Sequence, residues 1–225
     1  MSHRGPVLKR RTALKLGALA SLGLSIGIAP GFALGAGGQS SMPLQKKQLG
    51  FLYDQSKCIG CRSCESACKV ANKWEQGAQW RRVLSSGDGP NKVYLSISCN
   101  HCARPACVSV CPVSAYQKRP EDGIVVHSPE KCVGCGYCLY ACPYHAPQYS
   151  TQTERISKCH FCYKLQQAGK TPACVAACPV KALTYGDLNE LLQTPGAVQQ
   201  VNRLPDPTLT GSSLVIIPKT KALGK

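Results

Sequence analysis

The residues best suited to chemistry in this 225-residue chain are its sixteen cysteines. They fall into four quartets with none left over, and every quartet opens with a C-x2-C pair. The quartets, numbered one to four along the chain, are Cys58, Cys61, Cys64 and Cys68; Cys99, Cys102, Cys107 and Cys111; Cys132, Cys135, Cys138 and Cys142; and Cys159, Cys162, Cys174 and Cys178. Spacing of the type C-x2-C-x2-C-x3-C-P is typical of loops that hold a [4Fe-4S] cluster through thiolates. The sequence therefore predicts four [4Fe-4S] clusters as cofactors.

Residues between and after these ligands suit the same chemistry. Gly60, Gly134 and Gly136 lie where the backbone must wrap a bulky cofactor. Glycine allows a positive φ there and lets N–H groups come close to the sulfurs. Proline follows the fourth cysteine of quartets two, three and four and fixes φ as the chain leaves the loop. Quartet one has Lys69 in this place, which departs from the pattern without removing a ligand.

The fourth cysteine of such a run usually ligates the neighbouring cluster. Only twenty residues separate quartets two and three, so these are predicted to form one unit, and quartets one and four form the other by exclusion. The predicted ligand sets, each named after its first cysteine, are Cys99, Cys102, Cys107 and Cys142 (the Cys99 set); Cys132, Cys135, Cys138 and Cys111 (the Cys132 set); Cys58, Cys61, Cys64 and Cys178 (the Cys58 set); and Cys159, Cys162, Cys174 and Cys68 (the Cys159 set).

Two other uses of the cysteines stay open at this point. Four zinc sites with all-cysteine ligation would also use C-x2-C pairs, but tetrahedral zinc generally takes two well-separated pairs with a finger between them. A disulfide scaffold is typical of exported chains with an even number of cysteines, but C-x2-C spacing does not readily supply partners for the bridges. Three thiolates on one tight loop favour a cubane over both.

Short helices and hairpins must position these loops. Asp122 and Gly123 predict a turn, and the apolar residues 124–126 predict a hairpin strand that packs under the clusters. A short helix is predicted from Tyr185, and a late strand or extended arm from Ser212. With every quartet complete, the four histidines His101, His127, His145 and His160 are predicted to be loop residues. The predicted fold class is α+β, loop-rich, with two ferredoxin-like units of two clusters each.

These predictions divide the chain into four parts. Residues 50–98 and 150–186 form the outer ferredoxin-like unit with quartets one and four, and residues 99–149 form the inner unit with quartets two and three. Residues 187–225 form a C-terminal helix and docking tail. Because the whole sequence has three Phe and two Trp, its core is short of apolar bulk. We therefore predict that the chain needs its metal to fold.

The remaining part, residues 1–36, has the composition of an export signal. It contains the pair Arg10 and Arg11, then a weakly apolar stretch, then small residues near its end. Paired arginines predict the twin-arginine route, which carries folded cargo and so suits clusters assembled in the cytoplasm. The predicted location is therefore periplasmic. Glycines and Pro30 interrupt the apolar stretch, which favours cleavage over a retained membrane anchor.

The charge of the chain first suggests a nucleic-acid partner, since the formal net charge is +16. Residues 1–35 hold five basic residues and no acidic one, which leaves +11 for the mature chain. Four oxidised clusters with their thiolates, at about −2 each, reduce this to roughly +3. Most of the basic charge is thus balanced by the cofactors, and a nucleic-acid partner is not predicted.

Several stretches around the quartets resemble a known family. They are YLSISCNHC at residues 94–102, ACPYHAPQYS at 141–150 and VIIPK at 215–219. From about Gly50 to Lys219 the chain resembles the four-cluster iron-sulfur subunit of the dimethyl sulfoxide reductase family. It is also similar to the iron-sulfur partners of nitrite, thiosulfate, polysulfide and tetrathionate systems. The resemblance implies two ferredoxin-like units related by pseudo-twofold symmetry, a catalytic molybdopterin subunit as one partner and a quinone-linked integral membrane subunit as the other.

The predicted function is electron transfer between these partners in an exported complex of anaerobic respiration, held at the membrane through its partners. No nucleophile, general base or nucleotide-binding loop stands out, so the chain is predicted to be a non-catalytic subunit. Some members of the family lack a signal and are exported with their catalytic partner, so the signal found here leaves the subfamily and substrate open. Two alternatives remain, a free periplasmic polyferredoxin and a zinc-binding interaction module.

Overall fold

The computed structural model of the protein describes residues 47–75 and 77–219. In this part the chain forms nine short strands and six short helices, joined by loops. The strands are β1 (Leu49–Asp54), β2 (Arg82–Ser86), β3 (Val93–Ile97), β4 (Tyr116–Lys118), β5 (Val125–His127), β6 (Gln148–Ser150), β7 (Arg155–Ser157), β8 (Leu183–Asp187) and β9 (Leu214–Ile217). The helices are α1 (Ser63–Asn72), α2 (Ala106–Ser109), α3 (Tyr137–Ala141), α4 (Tyr163–Gln167), α5 (Ala173–Ala176) and α6 (Leu188–Leu192). The predicted α+β, loop-rich class is confirmed for these residues.

Two predictions concern residues outside this part of the chain. The export signal predicted for residues 1–36 lies outside the described residues, as do residues 220–225 of the predicted tail. Within residues 47–75 and 77–219, every helix is too short or too polar to cross a bilayer.

The strands form one three-stranded sheet and three separate hairpins. In the larger sheet β1 is central, antiparallel to β8 and parallel to β9. Leu49, Phe51 and Tyr53 alternate along β1 and are all buried, which is the period-two pattern of a strand with one face in the core. The hairpins are β2 with β3, β4 with β5, and β6 with β7.

The hairpin predicted around Asp122 is confirmed. Strands β4 and β5 pair on either side of it, and Asp122 Oδ1 accepts a hydrogen bond from the Ile124 N–H at 3.0 Å. This is the local side-chain turn that Asp favours. His127 belongs to β5, so the prediction that it is a loop residue is wrong.

The C-terminal segment agrees with its prediction in part. The helix predicted from Tyr185 begins at Leu188, because Tyr185 pairs with Phe51 in the sheet. Asp187 caps this helix by accepting a hydrogen bond from the Asn189 N–H at 2.9 Å. The late strand predicted from Ser212 is confirmed as β9, a largely buried strand that pairs with β1, so this part of the predicted tail does not dock. Its apolar residues fill the core, and docking by the rest of residues 187–225 stays a prediction.

The elements next to the quartets associate in two groups. Strand β1, which precedes quartet one, pairs with β8, which follows quartet four, and α1 packs against α5. Strand β4, which follows quartet two, pairs with β5, which precedes quartet three, and α2 packs against α3. The largest apolar cluster includes Cys68 and Cys174, and a second includes Cys107 and Cys138. Cysteines of quartets one and four thus contribute to the first cluster, and cysteines of quartets two and three contribute to the second.

Candidate iron-sulfur sites

All sixteen cysteines are free thiols and lie within the described residues. The disulfide scaffold considered from the sequence is therefore not formed. Quartets two and four bury their first three cysteines, whereas quartets one and three each expose their second cysteine, Cys61 and Cys135. Among residues 47–75 and 77–219, no three His, Cys, Asp or Glu side chains meet as the ligands of one metal ion do. A cubane has another requirement, since its own iron and sulfide atoms separate the four thiolates.

One narrow cavity is lined by all four cysteines of the Cys99 set. Three of them belong to quartet two, and Cys142 comes from the end of quartet three. Pro105, Tyr144 and Ala146 form part of the wall, so the thiols meet in largely apolar surroundings. Four thiolates around one cavity are the donor set that a [4Fe-4S] cluster requires, and the residues present therefore fit this cofactor.

A second narrow cavity is lined by all four cysteines of the Cys58 set. Here the fourth thiol is Cys178, which lies more than a hundred residues after Cys58, Cys61 and Cys64 in the sequence. Because Cys61 is exposed, a cluster held here would lie close to the protein surface. The donor set again fits a [4Fe-4S] cluster.

The members of the other two predicted sets are neighbours in the core. Cys111 and Cys132 pack against an apolar cluster that contains Cys138. Burial raises the pKa of the Cys68 thiol, and the nearby charge of Cys159 raises it further. In both cases a fourth cysteine lies beside cysteines of a different quartet. Ligation by all four sets stays a prediction.

The fourth cysteine of three quartets begins a repeated turn of sequence C-P-x-x-A. The residue before the alanine has a positive φ in every copy, at Ser114, His145 and Lys181. The alanine N–H then donates a hydrogen bond to the cysteine sulfur: Ala115 to Cys111 and Ala182 to Cys178, each at 3.2 Å, and Ala146 to Cys142. Hydrogen bonds of this kind favour the thiolate form and tune the potential of a cluster.

In quartet one, the sulfur of the fourth cysteine also accepts a hydrogen bond, but from a side chain. Because Lys69 rather than proline follows Cys68, helix α1 continues to Asn72. The side-chain amide of Asn72 donates a hydrogen bond to Cys68 Sγ at 3.4 Å and lies 3.8 Å from Cys162 Sγ. Asn72 and the three alanines were not predicted from the sequence, although the repeated C-P-x-x-A indicates the alanines.

Comparison with known proteins supplies the family. Residues 91–188 match a model described as a 4Fe-4S dicluster domain, and residues 49–70 match one described as a 4Fe-4S binding domain. Over 187 residues the sequence is 42% identical to the probable anaerobic dimethyl sulfoxide reductase subunit YnfG of Escherichia coli (strain K12), covering 78% of this chain and 91% of that protein. This protein belongs to the iron-sulfur subunit family of the dimethyl sulfoxide reductases.

Two further members of this family are similar over the same part of the chain. The B subunit of anaerobic dimethyl sulfoxide reductase from Escherichia coli (strain K12) is 42% identical over 187 residues, covering 78% of this chain and 91% of that protein. The corresponding B subunit from Haemophilus influenzae is 39% identical over 189 residues, covering 78% and 92%. The predicted resemblance is thereby confirmed, and the protein is a [4Fe-4S] electron-transfer subunit of this family.

The electrostatics of this iron-sulfur subunit favour a cation at its cysteines. The pKa of Cys102 is raised to about 11, and the pKa of Cys107 and of Cys159 is raised to about 12. Burial is the main cause, and the charges of neighbouring cysteines contribute to these values. A thiol must lose its proton to bind a metal, so in the iron-sulfur subunit the charge of iron must offset this burial.

His101 lies in a loop of the iron-sulfur subunit, as predicted, but its side chain belongs to the core. It is fully buried, and its Nδ1 accepts a hydrogen bond from the Val125 N–H at 3.0 Å. Burial lowers its pKa well below the usual value, and Lys158 lowers it further. His101 therefore acts as a neutral link between quartet two and the hairpin strand β5.

The conformation of the cluster loops makes a testable prediction about Gly134. In all four quartets the residue before the second cysteine has a positive φ, at Gly60, His101, Gly134 and Phe161. At Gly134, with φ of +69°, an added Cβ would overlap the carbonyl oxygen of Glu154. We expect Gly134→Ala to distort the loop, lower the iron content per chain and destabilise the protein by more than the roughly 1–2 kcal/mol that a left-handed alanine costs. Iron analysis and denaturant unfolding measure both effects.

Gly169 provides the matched control. Its φ is +70°, yet an added Cβ would have no atom within 4 Å. Gly169→Ala should therefore lower the free energy of unfolding only by the cost of a left-handed alanine, and the protein should keep its full iron content. Equal losses of stability and iron in the two variants would contradict the role assigned to Gly134.

Proposed function

We propose that this iron-sulfur subunit carries four [4Fe-4S] clusters in two ferredoxin-like units and relays electrons along them. The observation that carries the proposal is the cavity lined by the Cys99 set, in which Cys142 joins three cysteines of another quartet. The Cys58 set, around the second cavity, extends the same rule to quartets one and four. Residues 99–149 are then the inner unit, and residues 50–98 with 150–186 are the outer unit.

Contacts between equivalent residues support a pseudo-twofold relation between the two units. His101 and Phe161 occupy the same position in quartets two and four, and their rings meet edge to face with centroids 5.2 Å apart. Cys99 and Cys159, which open these quartets, belong to one apolar cluster. Residues at equivalent positions contact each other when they lie near a twofold axis.

This arrangement suggests an order for the relay. The Cys99 and Cys159 sets meet at the centre, through the contact between their first cysteines. The Cys58 and Cys132 sets lie at the two ends, where Cys61 and Cys135 reach the surface. The clusters supply one-electron transfer, while the protein spaces them, excludes water from the central pair and brings the end pair within reach of partners.

We further propose that the partners are a molybdopterin catalytic subunit and a quinone-linked integral membrane subunit, with this chain as their non-catalytic relay. Large apolar side chains next to the exposed cysteines support docking at both ends. Ile59 is exposed beside Cys61, and Val133, Tyr137 and Tyr140 are exposed around Cys135. Tyr140 is 90% exposed, and a group of exposed apolar side chains is typical of an interaction site. The alternative of a free polyferredoxin is therefore less well supported.

The proposed function is tested by the purified complex from membranes. A reduced quinone should bleach the broad visible absorbance of the iron-sulfur clusters, and dimethyl sulfoxide is the first oxidant to try for its return. If the chain purifies alone and exchanges electrons only with soluble donors, it is a free polyferredoxin. If it holds zinc and shows no such absorbance, it is a zinc-binding module.

We propose that the chain reaches the periplasm folded, by the twin-arginine route, and associates with the membrane through its partners. Replacing both Arg10 and Arg11 by Lys should leave cluster-loaded protein in the cytoplasm, because a folded cargo depends on its signal. Cell fractionation with an iron assay of each fraction measures this. Unchanged delivery to the periplasm would mean that a partner's signal carries the complex or that the pair has no role.

A further inference from the structure

Two basic side chains are buried in the core of this subunit. Arg81 is 2% exposed and Lys158 is 3% exposed. Within the part of the chain that the structure describes, neither has a carboxylate within ion-pair distance. Burying a cation without a counter-charge is strongly unfavourable, so negative charge must come from elsewhere.

The negative charge near Arg81 comes from cysteines of the outer unit. Its guanidinium donates hydrogen bonds to Ser96 Oγ at 3.0 Å and to Ser98 Oγ at 2.9 Å. The guanidinium carbon lies 4.6 Å from the centroid of the Phe51 ring, and this ring stacks on Phe161 at a centroid distance of 4.1 Å. Phe161 lies between Cys159 and Cys162, so the guanidinium is held beside the loop of the Cys159 set. Burial works against the charge of Arg81, but the nearby thiolates, Cys174 and Cys159 first, raise its pKa.

Lys158 has the corresponding position beside the inner unit. Its ammonium group donates hydrogen bonds to the carbonyl oxygens of Val125 and Cys159. The same side chain lines the cavity of the Cys99 set. The ammonium charge of Lys158 therefore lies beside the Cys99 set.

The positions of these residues in the sequence follow the internal repeat. Lysine directly precedes the first cysteine of three quartets, at Lys57, Lys131 and Lys158, but only Lys158 is buried. Quartet two has Ser98 in this place. Serine carries no charge, yet the Ser98 hydroxyl accepts a hydrogen bond from Arg81. The Cys99 set therefore has Lys158 as its buried cation. The Cys159 set has Arg81, which is held in place by its hydrogen bond to Ser98.

We propose that Arg81 and Lys158 are positioning residues that raise the reduction potentials of the two central clusters, a role that depends on the proposed ligand sets. Adding an electron makes a cluster more negative, and a fixed cation nearby favours that state. The effect is large in the core because water does not screen the charge there. Lys57 and Lys131 stand in solvent at equivalent positions and should have little influence.

The experiment is an electron paramagnetic resonance redox titration of the complete complex with Lys158→Gln, alongside Lys131→Gln as the matched control. At the midpoint potential of the Cys99 cluster, Lys158→Gln should lower the reduced-to-oxidised ratio at least tenfold, which corresponds to about 59 mV for one electron. Lys131→Gln should leave all four midpoints unchanged. Arg81→Gln should instead lower the midpoint potential of the Cys159 cluster. Arg81→Lys keeps the positive charge and should restore most of that midpoint potential.

The outcomes separate this inference from the proposed function. A wild-type complex without four cluster signals would overturn the proposed function. A fully loaded Lys158→Gln complex with unchanged midpoints would overturn the inference and leave the ligand sets intact. If loss of either charge prevents cluster loading, the double variant Ser96→Ala with Ser98→Ala tests the inference. It keeps the charge of Arg81 but removes the two hydrogen bonds that hold the guanidinium in place. In this double variant, a small decrease in the midpoint potential of the Cys159 cluster supports the inference, and unchanged midpoint potentials overturn it.

Discussion

Removal of iron by a chelator under anaerobic conditions is expected to unfold the described part of the chain. Cysteines are major components of its cores: in the two smallest clusters, three of the six buried residues are Cys99, Cys102 and Cys159. Without iron, these thiols lose the bonds that tie four quartets together. A domain is stable by only roughly 5–15 kcal/mol, so the loss of all cluster bonds should exceed its stability. Circular dichroism during heating should show no cooperative transition.

The control is the same protein incubated with chelator that has been saturated with iron beforehand. It should keep its visible absorbance and its thermal transition, which shows that the chelator itself does not denature the protein. A native-like circular dichroism spectrum with a sharp transition after complete iron loss would contradict a metal-dependent core. The apolar packing of β1, β8 and β9 would then be sufficient for folding.

The second large effect is expected from Cys142→Ser. Cys142 lies in quartet three by sequence but lines the cavity of the Cys99 set. A serine oxygen is a harder and poorer ligand for cluster iron than a thiolate. We therefore expect the Cys99 cluster to change its potential or convert to a three-iron form, while the cluster of the Cys132 set keeps its signal. Electron paramagnetic resonance redox titration of the variant shows which signal moves.

Cys138→Ser is the matched control, because Cys138 belongs to the same quartet and is also surrounded by protein. It should perturb the cluster of the Cys132 set and leave the Cys99 cluster unchanged. If Cys142→Ser and Cys138→Ser perturb the same signal, each quartet serves its own cluster. The proposed two-unit arrangement would then lose its basis.

Local features of this structure could be read from the sequence. The turn at Asp122 and the positive φ at Gly60 and Gly134 depend on residues next to one another, and they were predicted. The cysteine spacing indicated the chemistry because cluster ligands must lie on one tight loop. The burial of His101 was not predicted, because the neighbours that bury it, Phe161 and Val125, come from other parts of the sequence.

Features that depend on residues far apart in the chain could not be predicted from the sequence. The sequence from Ser212 predicts a late strand or an extended arm, and only the parallel pairing of β9 with β1 shows that its apolar run fills the core. Arg81 and Lys158 look like ordinary surface charges in a basic sequence. In the fold they lie near cysteines of several quartets, and the spacing of residues along the sequence does not show which quartets come together.

The most direct test of the four-cluster relay is the iron-57 Mössbauer spectrum of anaerobically purified protein, calibrated to iron per chain. Four cubanes require sixteen iron atoms per chain, all in one [4Fe-4S]-type environment with thiolate ligands. Addition of a strong reductant should then convert the spectrum to that of the reduced form. An iron content of about eight per chain, or irons of a different type in the freshly purified protein, would contradict the four-cluster relay.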